Sequence, residues 1–554
     1  MPSTPAASGP DDHQIDSVIL QHLGLFRKPG VVSVRPGLRI TGGKLTKSPA
    51  IVVSVRKKTS NIPPEEMLPR QLEGIPVDVR PVSPTEALRA TDPEAFAQEL
   101  ADVPRGNVPI ELQTANFPLE RNLDGKLISP LVDAAVARVR PRRPGEPIPG
   151  AAAAHAYQKL QPELLKAVTD TFKVTCFASP AAGWQTLGPF IGSVKKTLTV
   201  GMFEFTAPHI VAAVQNSMTG KTLNLVLDDP DYDTTHREQT NDVTHQQLAG
   251  TLGDGMKFAW AAEGRDEHNK IHLFPAAYHI KVAVADKESF FLSSGNFNTS
   301  NQPDFDPINA PKSTDANTSS ISDRDWHVIV EHGGLSTTFE NIILRDLDQA
   351  LPGQQEASAP ILNDSVKRVG RPYKEFPAAR TFSGNMTIQP ALTPDNYGAV
   401  ILPLIQQAKK RFWMQTQYIK PSSRFESDET LPLAQRTILG QLINAVSGLI
   451  KRRVDVRIIV DARVTASMIE YLDKYGGIDG TRVLRQVNVH NKGMVIDDDT
   501  VVVGSQNWST EGVDTNRDAS LVIRHADVTA YWAGIFESDW STMTIPDEAP
   551  QSSR

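Results

Sequence analysis

The chain has 554 residues, of which 40% are hydrophobic and 22% charged, and its net charge is −7. This length exceeds what one hydrophobic core supports, so we expect three or four structural units. The acidic net charge disfavours a protein whose whole surface binds nucleic acid, and a single cysteine, Cys176, excludes both a disulfide framework within the chain and a cysteine-rich metal site.

The N-terminal part is predicted to form a tail and a small accessory domain. Residues 1–12 are polar and Pro-rich, which is typical of a disordered tail. An amphipathic helix follows, then two strand-like runs at 51–55 and 75–79. We therefore expect an α+β domain over residues 13–138 and, behind it, a Pro-rich linker over 139–150.

Beyond residue 150 the sequence repeats itself. A basic start and an apolar strand occur at Lys195 to Phe205 and again at Lys409 to Ile419, and each is followed by helix-spaced apolar residues and a buried strand that ends in Asp228 or Asp461. Strands that alternate with helices indicate mixed sheets flanked by helices. We predict two α/β lobes in a pseudo-twofold relation. The expected lobes and the tail behind them span 151–350, 351–545 and 546–554.

Three polar insertions interrupt the lobes, at 229–247, 298–322 and 421–435. Long segments of this kind in a compact domain are either functional or disordered. Because the first two flank the first motif described below, we interpret them as loops that frame a substrate entrance.

One motif occurs once in each repeat. It reads YHIKVAVADKESFFLSSGN from Tyr278 to Asn296 and VHNKGMVIDDDTVVVGSQN from Val489 to Asn507. In each copy a Lys follows the His by two residues, an Asp by seven and an Asn by 17. The motif residues are His279, Lys281, Asp286, Ser294, Asn296 and His490, Lys492, Asp497, Ser505, Asn507. The repetition predicts one active site built from two halves.

Two facing sets of imidazole, ammonium and amide groups suit a phosphodiester. The lysines and asparagines can donate hydrogen bonds to the nonbridging oxygens, while one neutral His attacks phosphorus and the other, protonated, protonates the leaving oxygen. No metal and no other cofactor is required. A nucleophilic imidazole needs an acceptor for its second nitrogen. Asp325 and Asp518 are candidates because both follow an Arg and begin a strand at matching positions of the repeat.

Other polar and aromatic residues have simpler interpretations. The irregular spacing of four histidines favours solvated loops over a metal site, namely at His236, His245, His268 and His272. Asp228 and Asp461 need no role beyond a turn. Trp508, directly after Asn507, is expected near the rim of the pocket as readily as in the core.

The paired segments HIKVAVAD…SSGN and HNKGMVID…GSQN resemble the two HKD motifs of the phospholipase D superfamily, over roughly residues 165–545. The resemblance implies a covalent phosphohistidine intermediate and transfer of the phosphoryl group to water or an alcohol. It implies that His279 and His490 are nucleophile and general acid, with His279 as the nucleophile, and that Asp325 and Asp518 orient them.

The same resemblance assigns the remaining motif residues. It implies a phosphate site made of Lys281, Lys492, Asn296, Asn507, Ser294 and Ser505. It implies structural roles for Asp286 and Asp497. One departure is the first turn, which reads Ser293-Ser294-Gly295-Asn296 where the family has Gly-Ser-x-Asn.

We expect a hydrolase that converts glycerophospholipids to phosphatidic acid at a membrane or micelle surface, with transfer to alcohols as a further outcome. The alternative is a metal-independent nuclease of the same superfamily, which a continuous basic groove would favour. A non-enzymatic binding module is disfavoured because every expected position is filled, and a phosphatidyl-transferring synthase is disfavoured by the lack of apolar runs of roughly 18 residues. The N-terminus has no features of a secretory signal, so we expect a cytoplasmic monomer, with export by another route left open.

Overall fold

The computed structural model describes residues 9–41, 44–58, 62–102, 110–139, 157–228, 240–261, 273–274, 277–309, 316–350, 372–420 and 437–545. The start of the predicted tail, nearly all of the predicted linker, the C-terminal tail, parts of the first two insertions and all of the third lie outside these ranges.

The described helices are α1 (Asp12–Gln21), α2 (Pro84–Thr91), α3 (Pro93–Asp102), α4 (Ile128–Val139), α5 (Gly183–Gly192), α6 (Pro208–Met218), α7 (Asn241–Leu252), α8 (Ala316–Ile321), α9 (Gly333–Gln349), α10 (Tyr397–Gln407), α11 (Ile438–Lys451), α12 (Ala466–Gly476), α13 (Thr510–Asp514) and α14 (Ala526–Thr542). The strands are β1 (Val31–Thr41), β2 (Lys44–Val55), β3 (Gln71–Leu72), β4 (Ile75–Pro81), β5 (Val168–Ser179), β6 (Thr197–Met202), β7 (Thr222–Leu227), β8 (Met256–Trp260), β9 (Lys281–Ala285), β10 (Ser289–Ser293), β11 (Asp325–Glu331), β12 (Arg380–Thr393), β13 (Arg411–Thr416), β14 (Ile419–Lys420), β15 (Asp455–Asp461), β16 (Val483–Gln486), β17 (Lys492–Ile496), β18 (Thr500–Gly504), β19 (Trp508–Ser509), β20 (Asp518–Arg524) and β21 (Thr544–Ile545).

The N-terminal domain is a four-stranded sheet in the order β1–β2–β4–β3, against which α1 packs. The sequence patterns identified β2 and β4 but missed β1, whose Pro36 and Gly37 disfavour a strand assignment. The side chain of Asp11 accepts the N–H of Gln14, and the Gln14 side chain accepts the N–H of Asp11, so α1 starts at Asp12. The cap and first residue of α1, Asp11 and Asp12, thus lie within the stretch predicted as a tail.

The two lobes share one sheet of 15 strands. From the centre outward, the first lobe contributes β5–β11–β10–β9–β6–β7–β8 and the second β12–β20–β18–β17–β13–β15–β16–β21. The orders are equivalent strand for strand up to β21, which confirms the predicted mixed α/β fold. The sequence did not indicate that the lobes join, which they do where β5 and β12 pair antiparallel from Cys176↔Arg380 to Val168↔Ile388.

Helices cover both faces of this sheet. On one face, α9 and α14 lie over a hydrophobic core that both lobes share, in which the rings of Trp326 and Trp532 stack with their centroids 4.6 Å apart. On the other face each lobe has a core of its own, under α5 and α6 in the first lobe and under α10 and α11 in the second. Because one core spans both lobes, their relative position is set by packing and not by a flexible connection.

The N-terminal domain is attached to the second lobe through a buried carboxylate on α12. Glu470 accepts hydrogen bonds from Arg35 (2.7 Å), Arg80 (2.7 Å) and the N–H of Leu38 (2.7 Å). Burial alone would raise the pKa of Glu470, but the two guanidinium groups outweigh it and lower the pKa to about 2. The carboxylate therefore stays ionised and fixes the domain on α12.

Among the helices of the described ranges, none is long and apolar enough to cross a membrane.

Candidate active site

The two motif histidines lie at one edge of the large sheet, immediately before β9 and β17. The N–H of Arg324 donates to the carbonyl of Asn488 (2.8 Å), and the N–H of Arg517 donates to that of Ala277 (2.8 Å). In both cases the acceptor lies two residues before the histidine and the donor lies just before β11 or β20 of the opposite lobe. Each histidine segment is thus paired with the other lobe, which brings the two motifs together.

Each histidine is held by a carboxylate of the opposite lobe. The Nδ1 atom of His279 lies 2.6 Å from Oδ1 of Asp518, and Nδ1 of His490 lies 3.1 Å from Oδ1 of Asp325. The aspartate side chains are fully buried, and the histidine side chains are 5% and 14% exposed, respectively. With Nδ1 occupied in this way, Nε2 is the ring nitrogen left to react.

Burial raises the pKa of both aspartates, to about 7 for Asp518 and about 6 for Asp325, and the nearby lysines only partly offset this. Burial also lowers the pKa of His279 and of His490 well below the usual range, and the lysines lower both further. The site therefore favours neutral imidazoles in the absence of substrate, which is the form that a nucleophile requires.

Two serines support the carboxylates. The hydroxyl of Ser294 donates to Asp325 (2.7 Å), and that of Ser505 donates to Asp518 (2.6 Å). Each hydroxyl also accepts the N–H of the residue that follows its aspartate, at 3.0 and 3.1 Å. The sequence placed both serines in a phosphate site, whereas in the structure their hydroxyls are engaged with the aspartates behind the histidines.

The two lysines are buried beside the histidines. The ammonium of Lys281 donates to the carbonyl of His279 (2.6 Å), and that of Lys492 lies 3.1 Å from both ring nitrogens of His490. Burial lowers the pKa of Lys281 well below its usual value and that of Lys492 to about 8, although the facing carboxylates oppose the change. An incoming phosphate would restore full charge to these groups, because it supplies the counter-charge that they lack.

The asparagines lie in equivalent buried turns, and in the first lobe a carboxylate lies beside the amide. Nδ2 of Asn296 donates to Oε2 of Glu204 (3.1 Å), which also accepts from Nδ2 of Asn298 (2.7 Å). In the aligned strand of the second lobe, Tyr418 stands where Glu204 stands in the first. The sequence analysis missed Glu204, because a single Glu after an apolar strand carries no distinctive signal.

The motif acids Asp286 and Asp497 lie outside the pocket. The carboxylate of Asp286 accepts the backbone N–H groups of residues 195–197 at 2.7, 2.7 and 2.9 Å, and that of Asp497 accepts the N–H groups of residues 409–411. They tie the turn after each motif strand to the start of β6 or β13. Their contacts agree with the structural role that the family resemblance implied.

Two residues interpreted as simple turn residues also hold the histidine segments. Asp228 accepts the N–H of Tyr278, and Asp461 accepts the N–H of Val489 (2.9 Å). Both donors immediately precede a motif histidine. The signal was present in the sequence, since the two aspartates end equivalent strands. In contrast, Trp508 is fully buried in the core of the second lobe and does not lie at the pocket rim.

The arginines that precede the catalytic carboxylates join the lobes. Arg324 forms a bidentate ion pair with Asp539 of α14 (2.8 and 2.9 Å), and Arg517 forms one with Asp346 of α9 (2.8 and 2.8 Å). All four side chains are buried. Each pair crosses between the lobes, so the strands that carry Asp325 and Asp518 are held in register with the opposite histidines.

Of the four histidines interpreted as loop residues, only His245 is described, and its ring stacks on Phe258 with the centroids 4.0 Å apart. His236, His268 and His272 lie outside the described ranges. In the part of the chain that the structure covers, no group of three or more His, Cys, Asp or Glu side chains is arranged to hold a metal ion.

The fold and the site together define a class: a two-lobed α/β chain in which paired His, Lys and Asn residues meet at one edge of a shared sheet. Residues 401–540, which contain the second motif, match the family model described as "Cardiolipin synthase, PLD-like domain". This match confirms the resemblance to the phospholipase D superfamily over these residues.

The solved structures that are similar to this chain include the following three. Phosphatidylserine synthase from Haemophilus influenzae Rd KW20 is 13% identical with a TM-score of 0.44, over 71% of this chain and 91% of that one. Nuc, a phospholipase D family member from Salmonella typhimurium, is 19% identical with a TM-score of 0.24, over 30% and 99%. NucT from Helicobacter pylori is 14% identical with a TM-score of 0.24, over 32% and 98%. No curated protein matches the sequence.

Proposed function

We propose that this protein is a phospholipase D-type phosphodiesterase that hydrolyses glycerophospholipids to phosphatidic acid through a phosphohistidine intermediate. The observation that carries the proposal is the crossed pairing of His279 with Asp518 and of His490 with Asp325 in one buried pocket. Two oriented imidazoles beside two lysines supply a nucleophile, a proton donor and charge stabilisation for a phosphodiester.

In the first step, Nε2 of His279 attacks phosphorus and the bond from phosphorus to the head-group oxygen breaks. Nε2–H of His490 gives its proton to that oxygen, so the head group leaves as an alcohol and not as an alkoxide. Lys281, Lys492 and the amide of Asn296 donate to the nonbridging oxygens, whose negative charge increases in the transition state. The phosphodiester itself favours protonation of the neighbouring His490, since a negative charge stabilises an imidazolium.

In the second step, water attacks phosphorus on the side opposite its bond to Nε2 of His279. His490, now neutral, takes the proton of the water, the nitrogen–phosphorus bond breaks, and phosphatidic acid leaves with both histidines back in their starting forms. An alcohol that enters in place of water gives a new phosphodiester by the same sequence. Activity towards alcohols therefore follows from the same site and is part of the proposal.

The geometry supports His279 as the nucleophile. Its contact with Asp518 is 2.6 Å, against 3.1 Å for His490 with Asp325, so its ring is the more tightly oriented. The side chain of His490 is the more exposed, 14% against 5%. Exposure suits the residue that must meet both the leaving alcohol and the incoming water.

A lipid substrate is favoured over nucleic acid by the charges at the site. Arg324 and Arg517, the arginines adjacent to the catalytic aspartates, are neutralised by buried ion pairs, and Arg463 beyond β15 is paired with Asp461 (2.7 Å). In the ranges that the structure describes, these arginines offer no continuous basic groove for a nucleic-acid backbone. The description of the matching family model also names a phospholipid synthase.

The test is to incubate the purified protein in EDTA with phosphatidylcholine in mixed micelles and, separately, with plasmid DNA. We expect choline release, reduced by at least about 10³-fold in both His279→Ala and His490→Ala. His245→Ala is the matched control, because this histidine stacks on Phe258 outside the pocket and its loss should leave the rate unchanged.

DNA cleavage without choline release would overturn the lipid assignment in favour of the nuclease. Retained choline release in both active-site variants would overturn the two-histidine mechanism. Samples quenched in alkaline denaturant and analysed by mass spectrometry should carry the phosphatidyl adduct on His279.

A further inference from the structure

The two halves of the site differ in charge at one position near the histidines. The residue two positions before the catalytic aspartate is Asp323 in the first lobe and Asn516 in the second, within the segments SDRD and TNRD. The residues between, Arg324 and Arg517, are equivalent and make equivalent ion pairs. The pseudo-twofold relation therefore makes Asn516 the neutral counterpart of Asp323.

Asp323 lies on the pocket side of its segment. Arg324 turns its side chain into the interlobe core, so in this extended segment the residues on either side of it face the opposite way. Asp325 indeed reaches Nδ1 of His490 at 3.1 Å. The carboxylate of Asp323 is half-buried and accepts a hydrogen bond from Nδ2 of Asn301 (2.8 Å), which fixes it on the same side.

Several charged or titratable groups surround this imidazole. Those that face His490 are Lys492 and Asp325 from the adjoining strands, Asp323 from the segment before β11, and Lys281 and His279 from the first motif, while Arg463 lies near Asp323 and Lys492. Burial and the lysines disfavour a proton on His490, and the charge of Asp323 opposes them.

His279 faces Lys281, Lys492 and Asp518, and the position that corresponds to Asp323 in the sequence of the second lobe holds the neutral Asn516. Glu204 lies deeper in the first lobe, where it binds the amides of Asn296 and Asn298. Each histidine is paired with a buried aspartate of the opposite lobe, so a carboxylate lies beside Nδ1 on both sides. The charge at position 323 thus distinguishes the two imidazoles.

We propose that Asp323 assigns the general-acid role to His490 by keeping a negative charge beside that imidazole, while the neutral Asn516 leaves His279 as the unprotonated nucleophile. This inference rests on the proposed function for its kinetic consequence. Asp323 is a positioning residue: its charge stabilises the proton on His490, and it touches neither the phosphorus nor the leaving group.

The test uses Asp323→Asn, which places on the first side the residue that the second side already has, and the reciprocal Asn516→Asp. The pH dependence of kcat/KM for choline release from phosphatidylcholine is measured for each. In Asp323→Asn the proton on His490 is less stable, so the basic limb should move down by about 1 pH unit and the acidic limb should stay in place. Asn516→Asp should move the acidic limb, which reports His279, up by a similar amount.

A readout without turnover accompanies the kinetics. The protein is labelled with ¹³C at the histidine ring, His490→Ala identifies the signal of that residue, and the titration midpoint of His490 is followed by NMR. We expect this midpoint to fall in Asp323→Asn and the midpoint of His279 to rise in Asn516→Asp. The two variants give independent tests, so a folding failure of one leaves the other decisive.

The inference is overturned if Asp323→Asn lowers the rate equally at every pH and leaves the His490 midpoint unchanged, because the aspartate would then be only structural. If the wild type turns over no phosphodiester while the His490 midpoint still falls in Asp323→Asn, the proposed function fails and the assignment of the proton stands.

Discussion

The two lobes present the same strands, the same motif and the same buried arginine pair, yet their histidines lie in different surroundings. His279 is the more buried and the more tightly held by its aspartate, whereas His490 is more exposed and has the ammonium of Lys492 against its ring. The repeated fold places the two histidines in equivalent positions. A few polar residues that differ between the lobes then give the histidines different roles, since a nucleophile and a general acid need opposite protonation states.

The lobes also differ in what covers them. In the described ranges the N-terminal domain contacts α12 of the second lobe through Glu470, Asp473 and Lys474. The corresponding part of the first lobe follows β7, and residues 229–239 there lie outside the described ranges. The strand ends that carry the histidines are thus equivalent in the two lobes, whereas the elements that cover each lobe differ.

The largest expected effect distinguishes the roles of the two histidines, with a substrate whose leaving group needs no proton. In His279→Ala the adduct cannot form, so release of 4-nitrophenol from phosphatidyl-4-nitrophenol should fall by at least about 10⁴-fold. In His490→Ala the same activated substrate should still give a burst, because 4-nitrophenolate leaves without a proton donor. Stopped-flow absorbance measures the burst. A burst that is lost in His490→Ala and kept in His279→Ala would reverse the two roles.

The next effect concerns the aspartates. Asp518→Asn and Asp325→Asn leave the shape of the site intact but no longer favour the correct ring tautomer, so kcat should fall by about 10² to 10⁴-fold in each. We expect the larger loss in Asp518→Asn, since that carboxylate holds the nucleophile. Steady-state and burst kinetics distinguish the cases. Ser505→Ala is the milder comparison, because it removes one hydrogen bond to Asp518 and keeps the carboxylate.

The buried ion pairs of Arg324 and Arg517 should stabilise the junction between the lobes to the same extent. Arg517→Met leaves Asp346 buried without its partner, and Arg324→Met does the same to Asp539, so each should lower the free energy of unfolding by about 3–5 kcal/mol. Urea denaturation followed by tryptophan fluorescence measures this. Lys195→Met, which removes an exposed ion pair with Glu288, should cause no measurable change. Strongly unequal effects of the two arginines would show that the lobes do not share the junction evenly.

The smallest expected effect is a loss of stability at acidic pH, confined to the contact between the N-terminal domain and α12 of the second lobe. The pKa of Glu470 is lowered to about 2 in the folded protein, below the value of about 4.3 in an unfolded chain. Its stabilising effect is therefore complete above about pH 4.3 and is lost as the pH falls from there through about 2. The protection factors of amides in β1 and α12, which are corrected for the intrinsic exchange rate, should fall between pH 5 and pH 3, and in Glu470→Gln they should be low at both pH values. The same fall in α9 of the first lobe would contradict a local origin.

Local patterns in the sequence predicted more than half of the elements that position the site. The spacing of His279 and Lys281, and of their counterparts in the second copy, indicates strands because apolar residues alternate with them over a short range. The capped helix α1 and the missed strand β1 show the limit of such patterns. Asp11 pairs with Gln14 three residues on, whereas β1 depends on pairing with β2 and overrides Pro36 and Gly37.

Contacts between distant residues could not be predicted in the same way. Asp325 and Asp518 were identified as partners for the histidines, but the sequence left open which served which. His279 and Asp518 are 239 residues apart in the chain, and the pairing of the lobes through β5 and β12 decides the matter. The same holds for Ser294, whose hydroxyl could meet either a phosphate or a carboxylate until the position of Asp325 was known.

The sequence by itself determined that this protein has two α/β lobes with one His-Lys-Asn set each, and that those sets suit a phosphodiester, because residue spacing within a strand and side-chain chemistry are local properties. Tertiary structure alone decided that each histidine is paired with an aspartate of the opposite lobe and that the serine hydroxyls contact those aspartates. These relations follow from how two halves pack, and packing depends on surfaces that no single stretch of the chain contains.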